Sequence, residues 1–308
     1  MLLNPRSALA GPSLPLPLHA PKQRTMTVSS KPVVHLFPHS SWCACVRITI
    51  FELGLSDLID IHTVDFLRAE NLTPDFITMS SNATVPVLST SEGVYGDSVS
   101  TIEYLIALHT SRHGRRIARR TGLVEELHAE AVDSKFMTFS ACSDTELSAK
   151  ASSPLPRGLV SRQEWTRKYA NSQAGIPFAA RYEAKMAHVD RLISLYAGTA
   201  PPAARHDFFA KSRANRTAAR ALIYTRLSAA LRLTPGPFLA GAAPGEDDLH
   251  LIGWLTHVAF CSGARRPEDA LRSLQMMFGE EPPAHVSMLW NAWIRRESFG
   301  KVYEAGLY

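Results

Sequence analysis

Three short stretches hold residue types suited to handling an anion and a peptide. Ser40-Ser41-Trp42-Cys43 sets two hydroxyls and a thiol between a strand-like run and a helical pattern. Such groups at a helix N-terminus sit where the helix dipole favours an anion. Val85-Pro86 opens a strand-like run, and a proline there conflicts with the ladder because it has no N–H to donate. A cis bond at the strand start resolves the conflict. It leaves the N–H and C=O of Val85 open to antiparallel pairing with a peptide. Asp97-Ser98 opens a further helical pattern. Asp97 can cap it, and Ser98 offers a hydroxyl and an N–H to a carboxylate. Taken singly, each stretch also reads plainly, as an edge-strand proline, an ordinary N-cap or a small packed cysteine. Taken together, they describe one peptide-sized site.

Short elements must position these residues. Val33 to Phe37 reads as a strand, broken by Pro38-His39, and a helical pattern runs from about Trp42 to Leu53. Val46, Ile50 and Leu53 share a face, with Gly54 where a C-cap glycine belongs. Ile59 to Val64 alternates as a strand with one buried face does, and Pro74 to Met79 is a short helix opened by proline. Val85 to Leu88 and Gly93 to Gly96 form a hairpin pair, and Asp97 starts a helix with Ile102, Leu105, Ile106 and Leu108 on its apolar side. The order is β-α-β-α-β-β-α. After it the pattern is entirely helical, with helices predicted over about 122–142, 162–197, 215–232, 247–262, 267–278 and 284–296.

Composition narrows the function classes. The chain has 308 residues, 45% hydrophobic and 20% charged, which suits a folded protein with two subdomains. Four cysteines (Cys43, Cys45, Cys142 and Cys261) fit neither a four-ligand metal site nor a Cys-x-x-Cys redox pair. No metal is expected, and few cysteines suit a reducing compartment. Of the net charge of +5, Arg6, Lys22, Arg24 and Lys31 supply +4, and no acid precedes Glu52. The folded body is thus near neutral, which argues against a nucleic-acid partner. One cluster remains, Arg112, Arg115, Arg116, Arg119 and Arg120. It reads as a solvated linker, or else as a positive lip for an anionic ligand. The best apolar stretch, Leu249 to Gly263, is too short to span a membrane. Residues 1–30 are basic and proline-rich and are expected to be a disordered tail. Met26 is an alternative start, and mitochondrial targeting by this tail is a weaker expectation than a cytoplasmic location.

The three motifs, in this order and spacing, resemble the glutathione transferase superfamily. Ser40 to Ile48 resembles the Ser-Ser-Cys-x-x-Arg-Val-Arg-Ile run of zeta-type members, Thr84 to Leu88 the Val-Pro-x-Leu element, and Asp97 to Leu105 the Glu/Asp-Ser-x-Ala-Ile-x-x-Tyr-Leu element. Pro237 to Gly241 with Gly245 to Asp248 is similar to the buried capping element, and Arg296 to Tyr303 to the closing segment. Three features depart from the pattern. Ser80-Ser81 stands where Asn-Pro is usual, Gly245 replaces a capping Ser or Thr, and residues 143–214 match nothing in the family.

The resemblance implies a thioredoxin-like glutathione domain at 31–110 and an all-helical domain at 111–308, of a divergent fungal type. It implies glutathione as co-substrate, a hydrophobic electrophilic small molecule as the second substrate, and a homodimer. The expected activity is conjugation of glutathione, for detoxification or biosynthetic tailoring. A free thiol has a pKa of about 8.5, and lowering it by about two units takes roughly 2.7 kcal/mol. A hydroxyl donor with a helix N-terminus can supply that. By the resemblance Ser40 is that donor, with Ser41 and Cys43 as rivals. Ser41, Trp42, Cys43, Val85, Pro86, Asp97 and Ser98 are expected to line the glutathione site. A reactive Cys43 would instead imply omega-like thiol transfer, and a further alternative is a non-catalytic scaffold of the same fold. Trp42 either walls the substrate pocket or covers the domain junction. Trp165, Tyr169, Phe178 and Tyr182 are candidates for the electrophile site, though aromatics at such spacing are more often core. His188, His206 and His257 are read as structural.

Overall fold

The structure is a computed structural model that describes residues 31–308; the expectations for residues 1–30 lie outside the described residues. Four strands form one mixed sheet in the order β2-β1-β3-β4. They are β1 (Val33–Leu36), β2 (Asp60–Thr63), β3 (Val87–Ser89) and β4 (Val94–Tyr95). β1 runs parallel to β2 and antiparallel to β3, and β4 is antiparallel to β3. Helices α1 (Ser41–Glu52), α2 (Pro74–Met79) and α3 (Ser98–His113) complete the β-α-β-α-β-β-α order read from the sequence. This is a thioredoxin-like unit, and everything after it is helical. Gly54 takes φ 65° just beyond the last turn of α1, the left-handed geometry that glycine accepts without cost. One expectation fails on β2. Its four residues are all exposed, including Ile61, while Ile59 and Val64 just outside it are buried. β2 is an edge strand, and its flanks rather than its alternation anchor it.

The helical part begins with α4 (Leu123–Leu127), α5 (Ser134–Phe139) and α6 (Asp144–Ala151). The expected helix over 122–142 is broken, because Asp133 turns out of helical geometry and caps α5 through the Lys135 N–H. α7 (Leu155–Ala170) and α8 (Ala179–Tyr196) form a hairpin in place of the single helix expected at 162–197. Ser172 caps a tight turn there, and Pro177 cannot continue α7. α9 (Pro202–Ala221) runs through a π turn at Leu222–Leu227 into α10 (Ser228–Arg232). α11 (Glu246–Cys261), α12 (Ala270–Phe278), α13 (Ala284–Trp293) and α14 (Glu297–Val302) end the chain.

α11 is the axis of the core. Every residue from Glu246 to Ala259 is buried, so the helix is enclosed around its whole circumference, polar residues included. It packs on α1, and Gly253 makes the approach possible: a Cβ there would collide with Cys45 Sγ and lie 2.6 Å from Ser41 O. Asp248 secures the N-terminus of α11. It accepts from the N–H groups of Gly245 (2.9 Å), Leu239 (2.7 Å) and Ala240 (3.1 Å), so the side chain missing at Gly245 is replaced from within the helix. The other end of α1 is tied to α14. Arg296 Nε donates to Glu52 Oε2 at 2.9 Å, and the Ser298 hydroxyl donates to the same oxygen at 2.6 Å.

Candidate functional site

The sheet register brings the three motifs to one corner. His35 pairs with Val87, so two more residues set Val85 opposite Phe37, at the entrance to α1. Leu88 pairs with Tyr95, so two more set Asp97 beside Pro86, at the entrance to α3. The Val85-Pro86 bond is cis. The N–H and C=O of Val85 have no hydrogen-bond partner among the described residues. That pair of groups, at the open end of β3, is what an extended peptide needs for antiparallel pairing.

Both helix starts are built as anion sites. Ser40 is the N-cap of α1 in extended geometry, half-buried, and its Oγ accepts the Cys43 N–H at 3.4 Å. The bond uses a lone pair, so the hydroxyl proton stays available for a further acceptor. Asp97 is the N-cap of α3, accepting from the Ser100 N–H (2.7 Å) and the Ser100 hydroxyl (2.8 Å). Ser98, first residue of that 16-residue helix, makes no hydrogen bond through its hydroxyl or its N–H within the described chain.

The structure separates the residues that the sequence grouped. Cys43 is fully enclosed, its sulfur accepting the Phe37 N–H at 3.4 Å. Burial pushes this thiol up to about 12, against smaller opposing effects of Phe37, Ser40 and Arg47. The expectation that Cys43 contacts ligand or reacts is therefore corrected: its side chain belongs to the core. Ser41 is likewise turned away. Its hydroxyl lies 2.8 Å from that of Ser134, a buried pair joining α1 to α5. Trp42 covers the junction, stacked on His128 with centroids 3.8 Å apart. Cys45 is core as expected, its thiol donating to Ser41 O and His250 O, each at 3.2 Å. Of Ser40, Ser41 and Cys43, only the Ser40 hydroxyl remains open.

Several residues at this corner carried no signal in the sequence. His128 touches Trp42 on one side and His250 on the other (5.9 Å), and the Asp97 charge acts on both imidazoles. Burial chiefly, then the charges of His128 and Arg120, lowers His250 to about 3, and neither of its ring nitrogens has a partner. Tyr308 stands edge-on to His39, 5.0 Å away, with Arg47 donating to its hydroxyl at 2.9 Å. Burial of His39, followed by the Arg47 charge, lowers its pKa.

The α7–α8 hairpin covers the other side. Arg162 donates to Phe66 O and Asn71 Oδ1, each at 2.9 Å, and lies over the Phe66 ring. Phe66 stacks on Phe37 at 4.5 Å. The Tyr169 and Tyr182 hydroxyls donate to Arg68 O (2.9 Å) and Leu72 O (2.8 Å). Trp165, Tyr169, Phe178 and Tyr182 pack together against Ala69, Leu72, Ile77 and Ala83. These four aromatics are docking contacts, which corrects their candidacy for an electrophile pocket. The arginine-rich linker is only partly solvated. Arg119 and Arg120 reach the fully buried Glu246, and Arg120 also pairs with Glu125 at 2.5 Å. Among the described residues, no helix is long and apolar enough to cross a membrane.

Residues 34–113 match the family model described as glutathione S-transferase, N-terminal domain. Among solved structures, the chain is similar to glutathione transferase F7 from Populus trichocarpa, with 16% identity over 89% of this chain and 98% of that one, at a TM-score of 0.44. It is also similar to Gtt2 from Saccharomyces cerevisiae (15% identity, 88% and 99% covered, TM-score 0.45). A third is a glutathione transferase homolog from Sulfitobacter with bound glutathione (14% identity, 89% and 97% covered, TM-score 0.43). No curated protein sequence matches the chain.

Proposed function

From its membership of the glutathione S-transferase superfamily, carried by residues 34–113, we propose that this chain is an enzyme that activates the thiol of glutathione for attack on an electrophilic small molecule. In this reading the cysteinyl backbone of glutathione pairs with the N–H and C=O of Val85. The γ-glutamyl carboxylate meets Ser98 and the N-terminus of α3, and the sulfur faces Ser40. The thiol releases its proton to solvent. The thiolate is stabilised by the Ser40 hydroxyl and the N-terminal dipole of α1. Its sulfur lone pair then forms the bond to carbon. In a substitution the leaving group departs with its electron pair. In an addition the displaced π pair takes a proton from water.

The observation that carries this reading is the open Ser40 hydroxyl at the α1 N-cap, beside the unpaired Val85 and the α3 terminus. The enclosure of Cys43 weighs against an omega-like thiol transfer through that residue. The experiment is glutathione binding by calorimetry together with conjugation of a neutral aromatic electrophile. Binding in the millimolar range or tighter, with turnover, supports the reading. Absence of binding at millimolar glutathione overturns it.

A further inference from the structure

We infer that Cys261, the last residue of α11, is a thiol that reacts with hydrogen peroxide, with His257 as the base that takes its proton. This site is separate from the Ser40 corner, and glutathione takes no part in it.

The contacts place a nucleophile, a base and a group that orients the base in one row. His257 and Cys261 are four residues apart on α11, so they share one face. The Cys261 Sγ lies 3.5 Å from His257 Nε2, within hydrogen-bond reach for sulfur. The other ring nitrogen sets the tautomer. His257 Nδ1 lies 3.3 Å from the main-chain oxygen of Tyr308, which can only accept, so Nδ1 carries the proton. In the neutral ring Nε2 is then a bare acceptor beside the thiol. That constellation is how a weak nucleophile is activated. The Thr138 hydroxyl, 2.9 Å from the same Nε2, competes for it. It also reaches Ser134 O at 3.4 Å and can donate there instead. Once Nε2 is protonated, the Thr138 oxygen can accept from it and stabilise the imidazolium.

The surroundings favour thiolate and imidazolium. Lys150 of α6 donates to Thr138 O and, at 3.3 Å, to Met137 O, which holds its ammonium at the same end of α5. Arg265 donates to Phe260 O at 3.0 Å and lies 4.4 Å over the Phe260 ring, next to Cys261 in the chain. Burial opposes ionisation of the thiol, but the charge and bond of His257, then Lys150 and Arg265, hold it below its ordinary value. His257 shifts the opposite way. Burial lowers it, but the charge and bond of Cys261 and the bonds to Tyr308 and Ser134 raise it.

Access separates Cys261 from the other thiols. α11 is buried from Glu246 to Ala259 and emerges at Phe260 and Cys261, both half-buried. Gly263, just beyond, is exposed and borders open space. Cys43 and Cys45 are enclosed. Cys142 is half-buried too, but burial holds its thiol above the ordinary value, with Arg216 opposing. A half-buried thiolate admits a small oxidant, and hydrogen peroxide is one. The thiol proton passes to His257 Nε2. A sulfur lone pair forms the bond to one peroxide oxygen, the O–O bond breaks, and the leaving hydroxide takes the proton from Nε2 and departs as water. Sulfur is oxidised, peroxide is reduced, and Cys261 is left as a sulfenic acid beside a neutral His257.

The experiment treats the full chain, without glutathione, with hydrogen peroxide near neutral pH. Dimedone traps sulfenic acid, and peptide mass spectrometry assigns it. Alkylation by iodoacetamide across pH reads the thiolate fraction at each cysteine. One pKa unit changes that fraction about tenfold, so Cys261 should react at least about tenfold faster than Cys142. Its alkylation midpoint should lie below the ordinary thiol value of about 8.5. His257→Gln should slow both reactions at Cys261 at least about tenfold and raise the midpoint to that value or above. Cys261 reacting no faster than Cys142, or a midpoint at the ordinary value, overturns the inference. So does a folded His257→Gln protein that reacts like the parent, and so does fast alkylation with no sulfenic acid formed. If His257→Gln does not fold, the midpoint and the Cys142 comparison in the parent chain decide. Because no glutathione is present, either result leaves the glutathione reading untouched.

Discussion

The corner formed by β1, β3 and the starts of α1 and α3 differs in kind from the α7–α8 hairpin that faces it. The corner works through backbone: an open N–H and C=O at Val85 and two helix N-termini. Such groups are positioned by local rules such as caps, a proline and a glycine, and those rules are written in adjacent residues. The hairpin works through side chains. Arg162, Tyr169 and Tyr182 reach partners 91 to 110 residues away in the chain. Nothing in the spacing of residues 155–196 announces those partners. The two regions are thus specified in different ways, one by neighbours in the chain and the other by distant partners.

The largest effect on this arrangement is expected at the point both halves depend on. Gly253→Ala drives a methyl into Cys45 and Ser41. It should cost about 3 kcal/mol or more, or prevent folding. Thermal unfolding measures it, and a Gly253→Ala protein of normal stability would contradict the close seat of α1 on α11. A smaller effect should be confined to the hairpin. Tyr182 is fully buried and donates to Leu72 O, so Tyr182→Phe leaves that carbonyl unsatisfied. The expected loss is about 1–2 kcal/mol, a few degrees in Tm, with glutathione affinity unchanged. A large drop in glutathione affinity would mean that the hairpin builds the peptide corner as well.

The weakest effect is a dependence on pH. His250 is held neutral far below its ordinary range, so its contribution is present above about pH 6.5 and is lost as the pH falls below that value. Glu52 behaves differently. Burial opposes its ionisation, but the bonds from Arg296 and Ser298 and the Arg296 charge hold it below the usual carboxylate range. Its contribution fades only below about pH 4.5, as it takes up a proton. Chemical denaturation between pH 6.5 and 4.5 should therefore show a steeper loss of stability than in a His250→Leu variant. Equal slopes for the two proteins would contradict the neutral burial of His250.

The sequence revealed the strand and helix order of residues 33–113 because each element there carries its own signal. The Asp97 cap, the Val85-Pro86 conflict and the glycine after α1 are examples. It also revealed α11, whose largely apolar run from Leu249, interrupted by His250 and His257, marks a buried helix. It misled at 122–142 and 162–197, where apolar spacing continued through Asp133 and the turn at Ser172 and Pro177 although the backbone did not. It grouped Ser41 and Cys43 with Ser40 because they are neighbours in the chain. Packing separated them, sending one hydroxyl to Ser134 and the thiol into the core, and both outcomes depend on residues distant in sequence.

The central claim concerns the Ser40 hydroxyl and the sulfur it faces. Ultraviolet titration of the thiolate of bound glutathione tests it most directly. The parent chain should hold that thiol about two units below its ordinary value of roughly 8.5, and Ser40→Ala should return most of the shift while glutathione still binds. Conjugation near neutral pH should fall by at least about tenfold in the same variant, as expected for one lost charge-assisted bond. A bound thiol that titrates near 8.5 in the parent chain, or one equally acidic in parent and Ser40→Ala, would contradict it.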